Sequence, residues 1–301
     1  MLLNFMQKHS LSKCFYDTAN DFYIPLAKKF AKGYQQQQKH QHGSTFFIGI
    51  NGCQGSGKST LAKFLAAYLT KQFNLSVVVL SLDDFYHSKA QRQQLAKQYH
   101  PLFKTRGVPG THDVKLLQSV LTQLKNSKRT NQTVCLPQFD KAQDNPLPTQ
   151  NWLTVTQGVD IVLFEGWCWG IPAEEPENLM LPINLLESQL DQQGTWRKQV
   201  NHTLLHDYQP LYSVMNTWLM LKAPSFDVVF QWRLEQEKKL AKANVDNIGS
   251  ANGVMTTTEV NDFIQFFQRL TIHGLKVLPE KVDILFELGH NREIIASRGV
   301  G

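Results

Sequence analysis

Apolar positions Phe15, Phe22, Leu26 and Phe30 recur at mostly helical spacing, interrupted by Pro25, which predicts one or two short helices over residues 11–34. The stretch from Gln35 to His42 is then polar and low in complexity, a solvated linker or a helix end. From Thr45 the pattern alternates. An apolar run at Phe46–Ile50, a glycine-rich turn, a helical stretch at Leu61–Phe73 and a second apolar run at Val77–Leu82 form a βαβ unit. Such a unit implies a right-handed crossover and a parallel sheet. Further strands are expected at Thr133–Leu136, Val159–Phe164, Thr217–Leu221 and Val282–Glu287, and helices at Asp113–Leu124, Phe226–Ala241 and Thr257–Leu270. Thr256-x-x-Glu259 reads as a capping box, and Ser225, after Pro224, as the cap of the helix that begins at Phe226. No repeat and no second alternating unit occurs. The expected organisation is a helical extension with a Gln-rich linker over 1–44 and one α/β domain over 45–301.

Between the first strand and its helix, Gly52-Cys-Gln-Gly-Ser-Gly57-Lys58-Ser59 matches G-x-x-x-x-G-K-[ST] without a gap. Glycines let backbone N–H groups turn inward around a phosphate, and the helix N-terminus adds partial positive charge. The fold class is therefore a P-loop NTPase, a parallel sheet sandwiched by helices, with lid and acceptor-site insertions. Gly52, Cys53, Gln54, Gly55, Ser56, Gly57, Lys58, Ser59 and Thr60 are expected around ATP. Lys58 would reach the β/γ oxygens and the Ser59 hydroxyl would ligate Mg²⁺. The strand at Val159–Phe164 ends in Glu165-Gly166, which offers a carboxylate on the metal side, whereas Asp160, at the other end, reads as a turn or cap residue.

Nothing here reads guanine: N-K-x-D is absent, and Asp191-Gln-Gln-Gly194 fits D-x-x-G by letters only. The second strand instead ends in Ser81-Leu-Asp83-Asp84-Phe-Tyr86. Strand C-termini of a parallel sheet gather at the ligand crevice, so two carboxylates emerge beside the phosphates. Phosphoryl transfer to an alcohol needs a carboxylate that orients the hydroxyl and accepts its proton, and Asp83 is the candidate. Asp84 reads as a helix cap or a partner for a lysine.

Composition narrows the partners. Hydrophobic residues make up 42% of 301, enough for a sizeable core, which excludes a disordered chain. The net charge of +6 suits anionic ligands but is spread along the chain, which argues against nucleic acid as partner. Four cysteines without a CxxC pair fit a reducing compartment. No apolar run approaches the roughly 18–20 residues of a bilayer span. With no signal-peptide pattern at the start, a cytoplasmic protein without a membrane partner is expected.

Several longer segments carry a specific resemblance. They are Gly49–Thr60, Ser81–Tyr86, His100–Asp113 (His-Pro-Leu-Phe-Lys-Thr-Arg-Gly-Val-Pro-Gly-Thr-His-Asp), Pro137–Lys141, Phe164–Cys168 and Trp232–Glu237. Pro182–Glu187, Asp191, Gly194–Arg197 and Asn201 extend it. In them the chain resembles the plant-type D-glycerate 3-kinase family and, more distantly, uridine kinase, phosphoribulokinase and bacterial pantothenate kinase. Departures are Cys53, where many members have Ala, the Gln-rich stretch, and Ala243–Gly253.

The resemblance implies ATP-dependent phosphorylation of a small hydroxylated acidic metabolite, D-glycerate first among them. Arg106 then lies where related kinases approach the acceptor, and its guanidinium suits a carboxylate. Lys141 is a second candidate for the acceptor's anionic end. His112 and Thr111 would bond its hydroxyls, or only cap the following helix. Arg233 would act as a lid arginine over the phosphates, or pair with Glu237. Trp167 and Trp169 read as packing beneath a loop more readily than as substrate contacts. Neither Cys53 nor Cys168 has a base that would make it a nucleophile. His290-Asn-Arg292 fits an adenine border and a surface turn equally. Two readings stay beside the glycerate one: a kinase for another acceptor (nucleoside, pantothenate-like acid or sugar phosphate), and an ATP-binding regulatory protein without turnover.

Overall fold

A computed structural model describes residues 1–130, 132–245 and 255–300. Three helices, α1 (Leu2–Lys8), α2 (Lys13–Thr18) and α3 (Ile24–His40), precede the first strand. Pro25 does not break the helix: it stands at the second position of α3, directly after a π-helical turn at Ala19–Tyr23. The Gln-rich stretch is thus a helix end rather than a linker, and the Gln38 side chain holds the following turn by bonding Gly43 N–H and Ser44 C=O. Leu26, Ala27 and Phe30 of α3 are buried in the main core. A smaller cluster of Phe5, Ala19 and Phe64 seats the first two helices on α4 (Lys58–Phe73).

The strands are β1 (Phe46–Gly52), β2 (Val77–Ser81), β3 (Val134–Leu136), β4 (Phe139–Asp140), β5 (Asn145–Pro146), β6 (Leu153–Val155), β7 (Ile161–Gly166), β8 (Thr217–Lys222), β9 (Ile284–Leu288) and β10 (Ile294–Arg298). Six form the central sheet in the order β10-β9-β8-β1-β7-β2, parallel except for β10. Every residue of β1 and β7 is buried, as central strands covered on both faces require. At one edge β2 alternates, with Val78 and Leu80 inward. The other edge, β10, is exposed from Ile295 to Arg298 and carries a register shift between Ile294 and Ala296, which discourages pairing with a further strand.

The expected strand at Thr133–Leu136 does not join this sheet. Its residues form β3, paired antiparallel with β6 in a separate two-stranded ribbon. A three-residue apolar run states extended backbone but not its partner.

Helices flank the sheet: α5 (Lys89–Gln98), α6 (Val114–Thr130), α7 (Leu185–Leu190), α8 (Thr195–Thr203), α9 (Gln209–Tyr212), α10 (Phe226–Val245) and α11 (Thr257–Val277). The Thr256/Glu259 capping box is present in full at the start of α11. The hydroxyl of Ser225 lies 3.5 Å from Val228 N, a weak contact at most. Of Ala243–Gly253, residues 246–253 lie outside the described residues.

Buried ion pairs fasten α7 and α8 to the rest. Arg269 of α11 binds both carboxylate oxygens of Glu187, at 2.8 and 2.6 Å, and Arg197 binds Asp191 at 3.0 Å. Asp160 is neither a plain turn nor a cap residue: it pairs with Lys128 and the Tyr34 hydroxyl and accepts from Ser76 N–H at 2.7 Å, tying α3 and α6 to the entry of β2. Among the described residues no helix is long and apolar enough to cross a membrane.

Candidate active site

β1 ends at Gly52, and Cys53–Gly57 curl back before α4 begins at Lys58. Gly55 and Gly57 take positive φ, +77° and +92°, which L side chains rarely adopt. A Cβ on Gly55 would also lie 2.7 Å from Trp232 Cβ. The loop therefore needs glycine there, both for its own curvature and for the close approach of α10. Two loop oxygens, Gln54 Oε1 and Ser56 Oγ, are buried without a hydrogen-bond partner among the described residues. Cys53 is a packed thiol whose pKa burial pushes up to about 12, and burial likewise raises that of Cys168. Neither is a nucleophile.

Register brings the metal-side acid to this loop. Glu165, near the end of β7, lies level with Ile50 of β1 and Ser81 of β2. Its Oε1 accepts from Ser59 Oγ at 2.6 Å, and its Oε2 stands 3.8 Å from Lys58 Nζ. Hydroxyl and carboxylate oxygens side by side at a P-loop are the hard donors that Mg²⁺ prefers, so the residues fit that ion.

After β2 the chain turns through a 3₁₀ segment, Leu82–Phe85, which delivers Asp83 to the same end of the sheet. Lys141 Nζ lies 2.5 Å from Asp83 Oδ2, and the Tyr86 hydroxyl donates to Oδ1 at 3.1 Å. Burial raises the pKa of this carboxyl, but Lys141, then Lys58, more than offset it and leave it below its ordinary value. Asp84 points elsewhere. Among the described residues it neither caps a helix nor forms an ion pair but accepts from Phe139 N–H at 3.2 Å, and burial raises its pKa to about 6.

Arg106 lies in the loop between α5 and α6, paired with Asp144 and with its guanidinium carbon 5.5 Å from the centre of the Phe139 ring. Thr111 is fully occupied within that loop: it accepts from Gly107 N–H at 3.0 Å and donates to Val108 C=O at 2.7 Å. His112 is 2% exposed, stacks on Tyr86 and meets the Tyr208 hydroxyl through Nδ1 at 2.6 Å. Neither caps α6, since Asp113 does so by accepting from Leu116 N–H at 2.9 Å. Trp167 lies beneath the loop, donating to Gly107 C=O at 3.0 Å, and Trp169 is buried against Phe164 and Tyr212.

On α10, Arg233 pairs with Glu237 one turn on, bonds Gln236 at 3.2 Å and lies over the Phe263 ring. Burial lowers its pKa, Glu237 raises it, and the charge of Arg106 lowers it again, so the two guanidinium groups feel one another. Arg292 was not legible as a site residue. Of the two readings left open for His290–Arg292, the surface turn is found, His290 and Asn291 being exposed between β9 and β10; from that turn Arg292 Nε donates to Gly55 C=O at 2.7 Å, lies over the Trp232 ring and pairs with Glu235, bracing the P-loop. Asp144 and Arg92 were equally unanticipated, because their partners are distant in sequence and no local motif announces them.

A mostly parallel sheet, a P-loop opening a helix, and carboxylates at two neighbouring strand ends define a P-loop kinase. Residues 47–174 match the Phosphoribulokinase / Uridine kinase family. The uncharacterized kinase mug58 of Schizosaccharomyces pombe is 34% identical over 86% of this chain and 91% of its own length. The probable ATP-dependent kinase TDA10 of Saccharomyces cerevisiae is 30% identical, over 72% of this chain and 73% of its own. The chloroplastic D-glycerate 3-kinase of Arabidopsis thaliana is 28% identical over 72% of this chain, which spans 45% of that longer protein. In three dimensions the chain is similar to D-glycerate 3-kinase from Cryptococcus neoformans, with a TM-score of 0.73 at 24% identity over 90% of this chain and 98% of the other, a likeness of fold. The chain belongs to the phosphoribulokinase and uridine kinase family, and it is an ATP-dependent small-molecule kinase.

Proposed function

We propose that the protein transfers the γ-phosphoryl group of ATP to a hydroxyl of a small acidic metabolite, D-glycerate. One observation carries the reading: an ionised carboxylate, Asp83, lies against Lys141 at the strand end beside the P-loop. A base held ionised among cations suits an acceptor that is itself an anion. The similarity to D-glycerate 3-kinases supports the choice of acid.

In this reading the loop amides and Lys58 hold the β- and γ-phosphates. Ser59 and Glu165 would hold Mg²⁺, which when bound neutralises charge on the phosphate oxygens. Asp83 orients the acceptor hydroxyl and takes its proton as that oxygen attacks the γ-phosphorus in line with the departing ADP. Arg106 and Lys141 bind the acceptor carboxylate, with Lys141 turning from Asp83 to do so. His112 acts at one remove, by setting the Tyr86 ring whose hydroxyl donates to Asp83. Arg233 closes over the phosphates.

The test is ADP release by the purified protein with Mg·ATP and D-glycerate, L-glycerate, uridine, pantothenate or ribulose 5-phosphate. Turnover with D-glycerate is expected. Turnover with a nucleoside alone refutes the acid, and tight ATP binding without any acceptor-dependent turnover favours a regulatory role. Asp83→Asn should lower turnover by roughly 10²- to 10⁴-fold while sparing nucleotide binding, and retained transfer rejects Asp83 as the base.

A further inference from the structure

The two cations assigned to the acceptor, Arg106 and Lys141, come from different segments, yet one short hairpin governs both. β4 and β5 pair through Phe139↔Pro146 and Asp140↔Asn145, and Lys141 and Asp144 stand in the turn between them. Asp144 has φ of +55°, a left-handed conformation that Asp tolerates better than most residues. From there its two carboxylate oxygens reach two arginines: Oδ1 pairs with Arg106, and Oδ2 lies 2.6 Å from Arg92.

Arg92 is the fixed end of this chain. It projects from α5, is 1% exposed, and also donates to the Asp144 carbonyl at 3.1 Å and to that of Lys104 at 3.3 Å. An acid held by a buried arginine does not swing away when an anion enters, so it is a poor candidate for a counter-ion that the acceptor displaces. Asp144 engages Arg106 through one terminal nitrogen, NH1, while Phe139 faces the guanidinium plane. Two restraints therefore fix its orientation, and among the described residues the Nε and NH2 donors of Arg106 bond no other group. The hairpin is moored twice more, by Phe139 N–H on Asp84 at 3.2 Å and by Lys89 N–H on Asn145 Oδ1 at 3.0 Å.

We infer that Asp144 is a positioning residue for the acceptor: it holds the Arg106 guanidinium, with donors outward, at a set place relative to Lys141. The inference deepens the proposed function and rests on it, since it takes Arg106 and Lys141 as the groups that meet the acceptor anion. A fork already oriented loses less freedom when it binds a carboxylate.

The experiment compares Asp144→Asn, Asp144→Glu and Arg106→Ala by steady-state kinetics with D-glycerate, and by hydrogen exchange across residues 139–146. Asp144→Asn should raise KM for D-glycerate roughly tenfold or more while KM for ATP stays put and kcat changes far less. Asp144→Glu should recover part of the loss. Exchange across 139–146 should quicken in Asp144→Asn without any acceptor present. A KM for D-glycerate unchanged or lowered by Asp144→Asn overturns the inference, as does an equal loss in KM for ATP and in kcat. Unchanged exchange overturns it even if no acceptor turns over. If Arg106→Ala raises KM and Asp144→Asn does not, this inference alone falls; if Arg106→Ala leaves KM for D-glycerate unaltered, the assignment of Arg106 to the acceptor falls, and this inference with it.

Discussion

The chemistry of single residues is set here by close neighbours. Asp83 stays ionised because Lys141, then Lys58, more than offset the cost of burying its charge. As the base it must be unprotonated, so the acid limb of kcat/KM should lie below the ordinary carboxylate range. In Lys141→Met the largest opposing charge is gone and burial acts with less resistance. The limb should then move upward in pH, apart from any loss in acceptor affinity, and a pH–rate profile with the same acid limb as wild type would contradict the assignment. At this scale the glycine spacing from Gly52 to Ser59 was readable directly, because the loop curls on itself and its needs are local. Arg292 and Asp144 were not. Arg292 meets Gly55 from 237 positions away and Arg106 meets Asp144 from 38, separations at which a sequence carries no periodic signal.

At the scale of elements, α10 and α11 supply the mobile-looking chemistry with a rigid frame. Arg233 rests on Glu237, which is 2% exposed and whose Oε2 also accepts from Met255 N–H at 3.1 Å, just before α11 starts. For Arg233 to reach a phosphate it must leave that partner, and its effect should then appear in the transition state rather than in ground-state binding. Arg233→Ala should lower kcat by roughly 10²-fold with nearly unchanged ATP affinity, and unaltered turnover would sink the role. The five parallel strands and the long helices α6, α10 and α11 were legible because their apolar patterns are pronounced. The strand expected at Thr133–Leu136 is present as β3, but so short a run could not name its partner. β10 escaped notice because an exposed edge strand has no apolar face to declare it.

For the molecule as a whole, stability should carry the mark of His112. Burial first of all, against the opposing pull of Asp83, lowers its pKa from 6.5 to about 3. In the unfolded chain this imidazole takes a proton near 6.5, whereas in the fold it stays neutral until far lower pH. The unfolded state thus binds more protons across that window, and stability, full above pH 6.5, should fall toward pH 3 by up to about 1.4 kcal/mol per unit from this group. Denaturant midpoints measured against pH should show a shallower decline in His112→Asn than in wild type, and parallel declines would assign the acid sensitivity elsewhere.

Of the four cations meant for the ligands, three rest against acids that an incoming anion would replace, Lys58 near Glu165, Lys141 on Asp83 and Arg233 on Glu237, whereas Arg106 keeps Asp144. The cleft therefore behaves as an internal ion exchanger. ATP and an acidic acceptor do not enter a bare positive funnel; they trade places with carboxylates already there, so the count of charged contacts changes little as they bind. Affinity should accordingly depend only weakly on ionic strength, and discrimination should come from how well each incoming anion replaces the carboxylate it displaces.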